Sequence, residues 1–190
     1  MKTKQLILCA LFAALTVSGV FVKIPVPGTP LFFTLQTFFV FLTGLLLEAK
    51  YALIAQLVYA AVGLVGLPVF STGGGIAYVL SPSFGFIIGF CVCAPITSVL
   101  VRSNLSKLNN HPQCKMMMML KIIGGAIVSI IAMYVFGVTY MYIIYNLYLK
   151  EPVTLGYVIV SSTGIFFFID MAKMTLAVLL GRAILRRMPK

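Results

Sequence analysis

Residues 155–185 read LGYVIVSSTGIFFFIDMAKMTLAVLLGRAIL, an apolar run with an acid, Asp170, and a base, Lys173, set inside it. The chain has three acidic residues in all, and no other apolar run holds an acid and a base together away from its ends. Three residues apart on a helix, the two side chains share a face. At the centre of a bilayer each charge costs about 2.5–3.5 kcal/mol on the insertion scale, so such residues face a partner or a cavity and mark function. The competing explanations are a helix-stabilising ion pair between spans and a topology device. Buried pairs often fail to repay their desolvation, so stability alone is a weak reason to keep one. An Asp accepts hydrogen bonds from N–H groups, and a Lys donates to a carbonyl or carboxylate. A ligand carrying both an amide-like group and an acid would satisfy the pair.

The rest of the chain has the same character. Of its 190 residues 62% are hydrophobic and 9% charged, against about half and a quarter for a soluble domain. It reads as a polytopic membrane protein forming a single domain over residues 1–190. A formal charge of +11 implies nucleic acid only where the basic residues form a continuous face. Here they punctuate apolar runs, as they do in membrane loops.

A span takes about 20 apolar residues, and six candidates occur: 6–22, 31–47, 51–67, 83–101, 119–145 and 155–185. The predicted fold is all-α with six transmembrane helices. Glu48-Ala49-Lys50 alone separates the second run from the third, which makes them a tight helical hairpin. With the N-terminus inside, Lys2, Lys4, Lys50, Arg102, Lys107, Lys115, Lys121, Arg182, Arg186, Arg187 and Lys190 fall on the cytoplasmic side. Only Lys23 and Lys150 fall outside. The positive-inside rule therefore predicts cytoplasmic N- and C-termini. Lys2 and Lys4 before an apolar run resemble a signal-peptide start, but without a good small-x-small cleavage site the run reads as a retained first helix. The fifth run exceeds a perpendicular span, so it tilts or projects outward. Ser161-Ser162-Thr163-Gly164 predicts a break in the sixth. A true span from near Phe166 puts Asp170 and Lys173 in the outer half of the membrane.

Irregular extracytoplasmic loops are expected after spans 1 and 3. Ile24-Pro25-Val26-Pro27-Gly28-Thr29-Pro30 has three prolines in seven residues, which forbids helix and stiffens the backbone. The second loop, Gly66 to Ser83, contains Gly73-Gly74-Gly75, where backbone can approach a ligand closely. Irregular backbone at membrane depth is tolerated where it lines a cavity. Thr34, Gln36, Ser71 and Thr72 are polar candidates at that outer mouth, with Tyr78, Phe84 and Phe86 as its apolar wall. Singly, each also serves as a capping, loop or packing residue. On the first span Ala10, Ala14 and Ser18 form a small-residue ladder that permits close approach of another helix or a partner protein.

Other chemistries lack their residues. Cys9, Cys91, Cys93 and Cys114 give no disulfide framework, and His111 with Cys114 falls short of a four-ligand metal set. There is no Walker-type glycine loop, no His-Glu-x-x-His and no Gly-x-Ser-x-Gly. A proton or sodium relay would want more acids than Asp170. The chain reads as a binder or conduit with no cofactor and no ATPase site of its own.

Several stretches together resemble the BioY biotin-transporter family: the proline loop 24–30, Thr34-Leu35-Gln36-Thr37, Gly44-Leu45-Leu46-Leu47, and Gly63-Leu64-Val65-Gly66-Leu67-Pro68-Val69-Phe70 with its glycine run. Ser81-Pro82-Ser83-Phe84-Gly85-Phe86 and Asp170-Met171-Ala172-Lys173 belong to the same likeness, which is dense over 24–90 and looser over 164–187. Phe168-Ile169 stands where the family usually has Pro-Gly. The resemblance implies a substrate-capturing S component of an energy-coupling-factor transporter that holds biotin near the outer face. It implies an energy-coupling module as partner, a transmembrane coupling subunit with an ATPase pair, docked through Ala10, Ala14 and Ser18. It further implies that Asp170 and Lys173 take the ligand's polar groups, with Gln36, Thr34, Ser71, Thr72, Gly73, Gly74, Tyr78 and Phe84 around it. An S component for another vitamin and a proton-coupled secondary transporter are the alternatives.

Overall fold

The computed structural model describes residues 3–27, 29, 31–105 and 115–187. Of the residues singled out above, Lys2, Gly28, Pro30, Lys107, His111, Cys114 and Lys190 lie outside these. Among the described residues six α-helices follow one another: α1 Thr3–Ser18, α2 Gln36–Leu46, α3 Ala49–Leu64, α4 Phe84–Thr97, α5 Lys115–Ile143 and α6 Leu155–Arg187. A π-helical turn, Ser98–Arg102, carries α4 on to Leu105, and another, Ile144–Tyr148, extends α5.

The helices fall into two length classes. Phe84–Leu105, Met116–Tyr148 and Leu155–Arg187 are long and apolar enough to cross a membrane. The first three are apolar but have only 16, 11 and 16 residues, fewer than the roughly 20 of a perpendicular span. The expected spans 6–22, 31–47 and 51–67 were thus each too long, the second most of all. Its first residues are taken by a strand. β1, Lys23–Pro25, pairs antiparallel with β2, Phe32–Thr34, in the register Lys23↔Thr34 and Pro25↔Phe32. The loop after α1 is therefore a small hairpin rather than the expected irregular segment. Pro25, which has no N–H to give a ladder, sits at the end of its strand, where sheets tolerate it.

The loop after α3 closes on itself. Phe70 and Gly73 exchange N–H···O bonds of 2.9 and 3.3 Å, and the Gly75 N–H donates to the Gly63 carbonyl at 2.7 Å. A 3₁₀ helix, Ile76–Leu80, then leads to α4. Gly73 has φ +130°, a region that side chains avoid. A Cβ on Gly74 would meet the Leu67 carbonyl oxygen at 2.0 Å. These glycines fold the loop.

The expected break at Ser161–Gly164 does not occur, and α6 runs unbroken from Leu155 to Arg187. Ser161 Oγ and Ser162 Oγ both donate to the Val158 carbonyl, so their hydroxyls are satisfied inside the helix instead of competing with it. Asp170 consequently lies near the middle of a 33-residue helix, not near the start of a shorter one.

α4 packs against α2, α3 and α5; α1 lies on α2 and α3; and α6 lies on α2 and α5. Small residues set the closest approaches. A Cβ on Gly44 would stand 2.4 Å from the Ala94 oxygen, and one on Gly89 2.7 Å from the Met133 oxygen. Val40, Phe41, Leu45, Ala55, Ala94 and Ile130 are fully buried, while Ile7, Val160, Phe168 and Leu179 are exposed. An exterior as apolar as the interior is the mark of a multi-pass membrane protein.

Three contacts gather the basic residues at one end of the bundle. Cys9 Sγ donates to the Tyr51 carbonyl, Ser98 Oγ donates to the Leu47 carbonyl, and Gly181 packs on Leu45. The start of α1, the α2–α3 turn and the ends of α4 and α6 thus lie together, carrying Lys4, Lys50, Arg102, Arg182, Arg186 and Arg187. The hairpin and the glycine loop lie at the other end.

Candidate functional site

α2 is the short helix, and the space beyond its first turn is the site. The hairpin and the loop after α3 cover that space, while α4, α5 and α6 rise past it on the sides. Thr34, Gln36 and Thr37 enter from the strand-to-helix junction, Tyr59 from α3, Phe86, Ile87 and Phe90 from α4, Met133 and Tyr134 from α5, and Ser162, Phe166, Asp170 and Lys173 from α6. Ser71, Tyr78 and Ser83 close the roof.

Lys173 is 7% and Asp170 5% exposed, and the pair is closed by direct bonds. Lys173 Nζ donates to Asp170 Oδ1 at 2.9 Å, to Thr37 Oγ1 at 2.8 Å and to the Thr34 carbonyl at 2.8 Å. An ammonium has three N–H bonds, so all of its donors are engaged. Thr37 Oγ1 in turn donates to Asp170 Oδ1 at 2.8 Å, which fixes the direction of the chain from Lys173 through Thr37 to Asp170. Tyr134 donates to Asp170 Oδ2 at 2.7 Å. A carboxylate offers about four lone-pair sites, and one on Oδ2 remains open. The Phe33 ring lies 4.5 Å from Lys173 Nζ, close enough for a cation–π contact.

Two neutral polar groups face this charged corner. Gln36 Nε2 donates to the Tyr59 hydroxyl at 2.5 Å, which donates to the Val69 carbonyl at 3.3 Å. In the roof, Tyr78 OH sits between Ser71 Oγ at 2.9 Å and Ser83 Oγ at 2.8 Å. Outside the roof, Lys23 Nζ donates to the Ser71 carbonyl at 2.9 Å, tying the hairpin to the glycine loop. Apolar walls with a few converging polar groups are what a small-molecule site requires.

Thr34, Gln36, Ser71, Tyr78, Asp170 and Lys173, all read from the sequence as candidates, come together on this cavity. Thr72, Gly73, Gly74 and Phe84 do not line it. Thr72 is exposed, the two glycines are used in closing their own loop, and Phe84 packs behind the roof, 6.5 Å from the Tyr78 ring and 5.7 Å from that of Tyr140. Sequence reasoning missed Thr37, Tyr59 and Tyr134. A buried Tyr needs a partner for its hydroxyl, so a Tyr in mid-run was the available signal for the last two. On the far side of the bundle Ala10, Ala14 and Ser18 lie along the exposed face of α1, opposite the buried Cys9, Phe12, Ala13 and Thr16.

Comparison with known proteins gives one consistent answer. The family model described as the BioY family matches residues 1–190. A probable biotin transporter BioY of Lysinibacillus sphaericus is 42% identical over 149 residues, covering 78% of this chain and 70% of that protein. The biotin transporter BioY of Rhizobium etli is 34% identical over 190 residues, covering 97% of this chain and 95% of the relative. Among solved structures, the S-component for biotin from an ECF-type ABC transporter superposes with a TM-score of 0.76 at 25% identity, covering 98% of this chain and 93% of the other.

Proposed function

The chain belongs to the BioY family, and on that premise we propose that it captures biotin for uptake across a bacterial cell membrane. It acts as one S-component unit, residues 1–190. The observation that carries this reading is the Asp170–Lys173 pair, buried and hydrogen-bonded at the wall of a cavity otherwise lined largely by aromatic and aliphatic side chains.

The pair grips one end of the ligand. Biotin's cyclic urea and its carboxylate are separated by a fused ring and a pentanoate chain, whereas Asp170 and Lys173 are 2.9 Å apart. A urea edge presents a carbonyl acceptor beside an N–H donor, which suits a Lys donor beside an Asp acceptor. A carboxylate in the same place would meet the like charge of Asp170. The open lone pair on Asp170 Oδ2 receives a ureido N–H. Lys173, whose donors are all engaged, exchanges the Thr34 carbonyl for the ureido oxygen. The neutral donors Gln36, Tyr59, Ser71, Tyr78 and Ser83 serve the carboxylate end, and Phe86, Phe90 and Phe166 hold the ring and chain.

The basic end of the bundle faces the cytoplasm, as the positive-inside rule requires. The start of α1 and the end of α6 lie there, and the hairpin with the glycine loop forms the outer lid. The exposed ladder Ala10, Ala14 and Ser18 docks on a transmembrane coupling subunit, and an ATPase pair supplies the drive.

Binding to the purified protein tests the site. Hydrogen bonds to charged groups contribute about 1.5–3 kcal/mol, so Asp170→Asn and Lys173→Ala are each expected to weaken biotin binding by roughly 10- to 150-fold. Biotinamide separates the two ends. It should lose the same factor relative to biotin in wild type and in Lys173→Ala. A penalty that vanishes in Lys173→Ala would put the carboxylate on the lysine and reverse the pose. Wild-type affinity in both variants would sink the site.

A further inference from the structure

Lys23 is the cation of the lid, and most of its hydrogen-bonding capacity is unspent. It opens β1 and pairs with Thr34 across the hairpin, as Pro25 pairs with Phe32. Residues paired across antiparallel strands stand on one face, and Phe32 and Thr34 line the ligand cavity. The Lys23 side chain therefore leaves the sheet on the cavity side. Its contacts agree: Nζ lies 5.3 Å from the centre of the Phe32 ring and donates to the Ser71 carbonyl at 2.9 Å. Both of those residues are walls of the cavity.

An ammonium has three N–H bonds. Lys173 has all of its donors engaged, whereas Lys23 uses one among the described residues, on Ser71. No acid of the described residues stands within ion-pair distance of it. Of the chain's acids, Asp170 is bonded to Lys173, Glu48 lies in the α2–α3 turn at the basic end, and Glu151 follows α5. Lys23 thus brings to the roof a positive charge that no described side chain pairs with. The roof itself is neutral: Ser71 Oγ, Tyr78 OH and Ser83 Oγ form one chain of hydroxyls with links of 2.9 and 2.8 Å. Hydroxyls hydrogen-bond a carboxylate and an amide alike. A charged donor favours the carboxylate.

We propose that Lys23 is the countercharge for the ligand's carboxylate and makes the site selective for the acid over its uncharged amide. The proposal rests on the pose given above, with the cyclic urea on Asp170 and Lys173 and the acid under the roof. A carboxylate on Ser71 Oγ and an ammonium on the Ser71 carbonyl are partners of one residue, and the flexible four-carbon stem of the lysine supplies the remaining reach. Lys23 meets the acid with an unused donor and keeps its bond to Ser71. Because the lysine is exposed, solvent screens the pair and its contribution is modest.

The test is calorimetric titration of the purified chain with biotin and with biotinamide. Lys23→Gln keeps an N–H for the Ser71 carbonyl and removes the charge, while Lys23→Met removes both. Each should narrow the preference for biotin over biotinamide by roughly fivefold, the upper range for an exposed ion pair, and Lys23→Arg should retain it. Biotinamide itself should bind the Lys23 variants about as tightly as wild type, because the bond to Ser71 exists before and after it binds and cancels. Lys150→Met, which removes the other lysine expected on the outer side, should leave the preference as it is. Equal weakening of both ligands in Lys23→Gln and Lys23→Met would make the lysine a fastening of the lid alone and overturn the proposal. The same narrowing in Lys150→Met would assign it to net charge and also overturn it. A preference that survives in both Lys173→Ala and Lys23→Gln removes the countercharge and leaves the pose standing. A preference lost in Lys173→Ala and kept in Lys23→Gln reverses the pose, and the proposal falls with it.

Discussion

Two of the groups of polar side chains buried in this bundle differ in how well their hydrogen bonds are met. Around Asp170 and Lys173 every side-chain hydrogen bond is between 2.7 and 2.9 Å, and the three ammonium donors are all engaged. Around Gln56, at the meeting of α1, α2 and α3, the amide reaches Thr16 Oγ1 at 3.5 Å and Thr43 Oγ1 at 3.4 Å, and its Oε1 has no partner among the described residues. Gln56 is fully buried and does not line the ligand cavity. Burial of polarity alone therefore does not identify a site. What separates the two groups is a close-fitting network open to a cavity, against a loose one enclosed by helices.

The largest effect expected from breaking this contrast is in Lys173→Met. It leaves Asp170 charged and buried, and removal of one partner from such a pair destabilises by about 3–5 kcal/mol. The melting temperature should fall steeply, and the double variant Asp170→Asn/Lys173→Met should recover much of the loss. A single variant as stable as wild type would mean that the pair is not held as charges. Tyr134→Phe comes next. It deletes one donor to the carboxylate, worth about 1.5–3 kcal/mol, and should weaken biotin by tenfold or more in equilibrium dialysis with the fold intact. No change there would remove Tyr134 from the network that poises Asp170.

Gln56→Met should do least. Thr16 and Thr43 already donate to the Phe12 and Phe39 carbonyls of their own helices, at 2.9 and 2.7 Å. Loss of the amide thus leaves no hydroxyl stranded and removes the unmatched Oε1. Volume-conserving apolar replacement of a poorly satisfied polar group is close to neutral. Melting temperature should hold or rise and biotin affinity should stay. A tenfold loss of affinity in Gln56→Met would show that the two groups are coupled and erase the distinction between them.

What was legible in the sequence follows the same division. Asp170 and Lys173 announced themselves because charge in an apolar run is expensive wherever it points. Thr34, Gln36 and Ser71 were legible as polar residues beside the lid, and Tyr78 as part of its apolar wall. Tyr134 and Tyr59 were not singled out, because their apolar rings fit the runs around them and only the hydroxyl needs a partner. The serines at 161 and 162 were misread as a break, since a sequence does not reveal that a hydroxyl turns back onto its own helix at Val158. The glycine loop was read as a ligand cradle, when the nearest crowding atom at Gly74 is the Leu67 oxygen. The helix count was legible from hydropathy; the lengths were not, because strand β2 is as apolar as the helix it precedes.

The brevity of α2 has a consequence for transport distance. The helix begins at the ligand cavity with Gln36 and Thr37 and ends beside the basic turn that carries Glu48 and Lys50. Its 11 residues measure only about 16 Å at 1.5 Å per residue, against roughly 30 Å for the hydrocarbon core. On the proposed pose, a ligand seated on Lys173 would have made close to half of its crossing at a depth reached by binding alone, before any drive from a partner is spent.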